Sequence, residues 1–160
     1  MDPGFLHDEV HDVVIADYLL GSVDRYAPFF QDRLFERLRR HVGARLYVVG
    51  LEPYPPAPET PGGRIIQDIA RLRDACILLA NDRCYREYPM EWTVRCLERS
   101  GYEIQDTQLF PIIYGESFIN GQLDVCLYKL TLIADRQLAA TLEERGKRLR
   151  EDCLLYTSPS

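Results

Sequence analysis

An α/β fold built on a parallel sheet is what the sequence predicts, and three observations predict it. Val13-Val14-Ile15-Ala16 is a short apolar run, mostly β-branched, with Asp12 and Asp17 at its ends. Such a run suits a strand buried on both faces, as in a parallel sheet covered by helices. A second run, Arg45 to Leu51 (RLYVVGL), comes after one helix-length segment, and two strands joined through a helix pair in parallel. Beyond it, apolar residues recur mainly at spacings of three and four, the helical period.

In chain order, Asp2-Pro3-Gly4 reads as a turn in a polar opening segment, and Gly21-Ser22-Val23-Asp24 as a loop after the first strand. Pro28 suits the first turn of a helix, where its missing N–H is not needed. Tyr26, Phe29, Phe30, Leu34, Leu38 and Val42 give that helix one apolar face, and Gly43 ends it. After the second strand, Glu52-Pro53-Tyr54-Pro55-Pro56-Ala57-Pro58 is too proline-dense for helix or sheet and forms a stiff loop. Ile65, Ile69, Leu72, Cys76 and Leu79 mark a helix ending near Asn81; Tyr88-Pro89 opens another, stopped by Gly101. Tyr102 to Phe110 (YEIQDTQLF) alternates imperfectly and reads as a third strand, with Pro111 to Gly115 leaving it as a loop. From Phe118, Leu123, Cys126, Leu130, Ile133, Leu138, Leu142 and Leu149 form a long helical pattern that breaks near Ala134-Asp135.

Composition narrows the function classes. A net charge of -6 over 160 residues argues against a nucleic-acid surface, and no apolar run is long enough to span a bilayer. The five cysteines (76, 84, 96, 126, 153) are odd in number and widely spaced, without C-x-x-C. They fit neither a zinc site nor a disulfide framework, so reduced thiols in a cytoplasmic protein are expected. His7, His11 and His41 lack a partner for a catalytic triad, and no metal-ligand set stands out.

The carboxyl end of a parallel strand opens on the ligand crevice of an open α/β sheet, so residues just past that end are site candidates. The first strand delivers Asp17-Tyr18, a carboxylate beside a phenol, which is the candidate site; the alternative is a loop or cap acid. Glu52 and Tyr54 leave the second strand toward the same crevice and Tyr114 leaves the third, to contact substrate or to pack against the prolines.

The ordered set D-Y-L-L-G, R-L-Y-V-V-G-L-E-P-Y-P, R-L-R-D-A-C-I-L-L-A and C-Y-R-E-Y-P-M-E-W-T-V-R-C-L-E-R-S-G-Y resembles the C-terminal half of a class I S-adenosylmethionine-dependent methyltransferase, from about Asp12 to Asp152. The resemblance implies an incomplete Rossmann-like three-layer α/β/α sandwich: the fourth to sixth strands of that sheet plus helices, over residues 1–152. It implies Asp17 and Tyr18 as catalytic, Asp17 and Leu19 as cofactor-binding, Glu52, Tyr54 and Tyr114 as substrate-binding, and S-adenosylmethionine as cofactor for an unidentified acceptor. The family's glycine-rich turn and ribose-binding acid have no counterpart here, so the chain reads as a fragment, inactive alone. A methyltransferase-fold binding or scaffold module is the alternative, and a nicotinamide oxidoreductase a third. Residues 153–160 (CLLYTSPS) resemble sequencing-adapter read-through and are expected to be a non-native or disordered tail.

Overall fold

The computed structural model describes residues 9–157, so the Asp2-Pro3-Gly4 turn, His7 and residues 158–160 lie outside the described residues. The described chain is mixed α/β, with a two-stranded parallel sheet and six helices: β1 (His11–Asp17), α1 (Leu19–Tyr26), α2 (Gln31–Arg39), β2 (Val42–Val49), α3 (Pro61–Leu79), α4 (Met90–Arg99), α5 (Glu116–Leu130) and α6 (Arg136–Thr157). It divides into two compact units. The first comprises the chain through Pro53 together with Tyr85–Leu109; the second comprises Tyr54–Cys84 and the chain from Phe110.

In the first unit β1 and β2 run parallel, Val14 opposite Leu46, Ala16 opposite Val48 and Asp17 opposite Val49. The register slips once, between His11 and Val13, where Gly43 lies against His11. A Cβ at Gly43 would sit 3.2 Å from the His11 carbonyl oxygen, which is why this strand position takes glycine. One face of the sheet packs on Leu20, Val23, Leu34, Phe35, Cys96 and Leu97 from α1, α2 and α4, with Leu46 and Val48 against that cluster. The other face carries Val13, Ile15, Tyr47 and Val49, all exposed. The expectation of a strand buried on both faces is therefore corrected: residues of alternate parity point to opposite sides, and only one side meets this core.

Four further expectations are revised in this unit. Gly21 to Asp24 is not a loop but the middle of α1, whose buried Leu20, Val23 and Asp24 keep a helical register despite the glycine. Pro28 lies between α1 and α2 rather than in a first turn, and Gly43 belongs to β2 rather than ending α2. Tyr102–Phe110 is not a third strand: no ladder forms there. Tyr102 and Ile104 pack on the core, but Thr107 N–H is taken by the neighbouring Asp106 carboxylate at 2.8 Å, a local bond that competes with strand pairing.

The second unit is helical. Ile69, Leu72 and Cys76 of α3, Ile119, Leu123, Cys126 and Leu130 of α5, and Ala139, Leu149 and Cys153 of α6 bury one another. Several helix ends have a local cause. Thr60 accepts the Gly63 N–H at 3.0 Å and Pro61 opens α3. Left-handed Asn81 closes α3, and Gly101, at φ 81°, closes α4 in the first unit. In both closures the next two N–H groups return to the last turn, Asn81 and Asp82 to Leu78 and Ile77, Gly101 and Tyr102 to Glu98 and Leu97. The break between α5 and α6 comes at 131–135, where the Asp135 carboxylate accepts the N–H of Gln137 and Leu138. α6 runs through Thr157, and Cys153 is buried because it falls one helical turn after Leu149.

Candidate functional site

The parallel ladder ends at Asp17, and the next residue makes the turn. Tyr18 N–H still donates to Val49 O at 3.0 Å, yet Tyr18 itself adopts the left-handed conformation, φ 48° and ψ 25°. That conformation costs a bulky residue about 1–2 kcal/mol. It turns the chain straight from strand into α1, with the Ser22 N–H and hydroxyl both donating to Tyr18 O. Asp17 is exposed, and among the described residues nothing engages its carboxylate. Tyr18 is half exposed. Leu19 is half-buried, packed against the core. Thus the three residues assigned to catalysis and cofactor binding share one strained strand-to-helix turn.

At the other end of α1 lies a polar network absent from the expected site residues. Asp24 is buried and accepts a hydrogen bond from Gln31 Nε2 at 2.8 Å and one from the Tyr88 hydroxyl at 3.2 Å. Tyr88 also stacks on Trp92, ring centroids 4.5 Å apart, so the segment before α4 is held to α1 by a polar contact and to α4 by an aromatic one. Glu87 closes over α1: its carboxylate oxygen lies 3.0 Å from where a Cβ on Gly21 would stand. The sequence does hold a signal for Asp24, since an acid four residues after Leu20 falls on that helix's apolar face.

Glu52, expected to contact substrate, has a partner of its own. Its Oε1 accepts the N–H of Met90 at 2.6 Å, the first helical residue of α4. A carboxylate there satisfies an orphan donor and faces the positive end of the helix dipole.

In the second unit the two remaining expected residues do come together. The rings of Tyr54 and Tyr114 lie 6.2 Å apart, and Phe118 continues the row 4.7 Å beyond Tyr114. Burial pushes the Tyr54 phenol up to about 12, and Tyr114 adds to this by its charge and by a hydrogen bond; Arg73 acts in the opposite direction. Gln67 fixes the proline loop beside Tyr54, donating to Pro55 O at 2.6 Å and Pro56 O at 3.0 Å.

The five cysteines are all buried. Cys76 and Cys126 share a thiol hydrogen bond, which together with burial raises Cys126. Among the described residues no helix is long and apolar enough to cross a membrane. Comparison with protein-family models, with curated proteins and with solved structures finds no match to this chain.

Proposed function

We propose that this chain is the acceptor-side part of an S-adenosylmethionine-dependent methyltransferase of Rossmann-like α/β/α architecture. One observation carries the reading: a parallel strand pair whose carboxyl end delivers an unengaged Asp17 on a strained turn, the place where ligands sit in open α/β sheets. The exposed apolar sheet face supports it too, because parallel sheets are normally covered on both sides. The cofactor would supply an electrophilic methyl group on a sulfonium. The residues present do not suffice to hold it, since among the described residues no glycine-rich turn comes after a strand. What this chain offers instead is a carboxylate able to orient an acceptor amine or hydroxyl, or to take its proton, and a phenol beside it.

Calorimetric titration with S-adenosylhomocysteine of the intact protein, upstream coding sequence included, tests the reading. Saturable binding, with methyl transfer lost in Asp17→Asn while binding persists, is the expected result. A folded protein that ignores the ligand would refute methyl transfer and leave the non-catalytic binding module.

A further inference from the structure

The outer side of α2 carries an arginine stripe that the proposed methyl transfer does not use. Phe30, Arg33, Arg37 and Arg40 recur at three, four and three residues, so they share one helix face. They line an open cleft of about 430 Å³, together with Glu36. The Arg33 and Arg37 guanidinium carbons each lie 5.9 Å from the centre of the Phe30 ring. That ring is half-buried and packed on the core, so it anchors both side chains. Arg40 donates from Nε to His41 Nε2 at 3.0 Å, and among the described residues nothing engages its terminal nitrogens.

Three arginines elsewhere on this chain meet carboxylates closely: Arg73 with Asp74, Arg145 with Asp68, and Arg150 with Asp124, each at 2.8 or 2.9 Å. Among the described residues Arg33, Arg37 and Arg40 have no such partner. Glu36, on the adjoining turn, forms no ion pair with them either. Three cations and one anion therefore stand together on a protein whose net charge is -6.

The geometry points to a binding site for a small ligand bearing linked phosphoryl groups. Guanidinium forks match phosphoryl oxygens in shape and charge. Arg33 to Arg40 spans roughly 10 Å of helix axis, which suits a chain of linked phosphates better than a single one. The acidic remainder of the molecule selects for a compact ligand. Screening over about 8 Å lets a small anion feel only the stripe, whereas a long polyanion also meets the surrounding negative field.

The test is arginine footprinting of the full chain with phenylglyoxal, read by mass spectrometry, with tripolyphosphate as the probe. Tripolyphosphate is expected to protect Arg33, Arg37 and Arg40 saturably, and to leave Arg150 and Arg145 as reactive as before. Arg37→Gln is expected to weaken that protection roughly tenfold, the effect of losing one charge-assisted contact, without altering Trp92 emission. Equal protection by citrate would overturn the phosphoryl assignment, and stronger protection by single-stranded oligonucleotide would overturn the small-ligand assignment. No protection by any of the three, or protection unchanged in Arg33→Gln and Arg37→Gln, would overturn the site.

Discussion

Replacing Glu52 by alanine separates two roles for a residue that the sequence places beside a substrate crevice. The carboxylate accepts the Met90 N–H at 2.6 Å at the start of α4, so its removal leaves an orphan donor at a helix N-terminus. Met90 N–H can then turn to water, because the bond is at an exposed site, and the cost is that of a lost cap, about 1 kcal/mol. Glu52→Gln keeps an acceptor oxygen and loses the charge–dipole attraction alone, worth about 0.3–1 kcal/mol. For a chain of this size, 1 kcal/mol moves the midpoint by about 2–4 °C. The single tryptophan, Trp92, sits two residues into α4 and makes its fluorescence a local reporter of that helix. Thermal unfolding followed through Trp92 is expected to rank wild type above Glu52→Gln above Glu52→Ala. Identical midpoints for all three would refute the capping role and return Glu52 to the crevice as a free carboxylate.

Three further substitutions probe other contacts. The Tyr54 phenol, held at about 12 against an ordinary 10, binds its proton more tightly folded than unfolded. It therefore contributes stability below pH 10 that is lost as pH rises from 10 through 12. Alkaline unfolding is expected to be less steep in Tyr54→Phe, and Tyr114→Phe to bring the Tyr54 phenolate absorbance to lower pH; an unchanged titration in Tyr114→Phe would refute the pairing. Phe35 is completely buried at the centre of the first unit, so Phe35→Ala is expected to cost about 3–5 kcal/mol. Denaturant unfolding measures this, and a loss under 1 kcal/mol would show that Phe35 is not central to that core.

The features legible in the sequence are local in origin. β1 and β2 announce themselves by β-branched runs, α3 and α4 by period and by Asn81, Pro89 and Gly101, and the α5–α6 break by Asp135. α1 is hidden because Gly21 and Ser22 look like punctuation, while the burial of Asp24 that holds the helix in place depends on Tyr88, sixty-four residues away. Among the described residues the apparent strand from Tyr102 has no pairing strand, and strand pairing is a property no single segment carries. For the site, Asp17 and Tyr18 are legible as the end of a strand, but the left-handed turn is not. Tyr54 and Tyr114 each stand out at the end of an apolar run; that their rings pair depends on a fold bringing positions sixty residues apart together.

The backbone passes from one unit to the other three times, near residues 53, 84 and 109. During synthesis the strands β1 and β2 must therefore wait for α4, made only after α3 has emerged, and α3 must wait in turn for α5 and α6. Neither hydrophobic cluster can close on a contiguous stretch of nascent chain, so folding depends on late, distant segments. A truncation meant to isolate either half would cut through the other's sequence, and a protease nicking any one of the three passages would leave pieces still held by noncovalent packing.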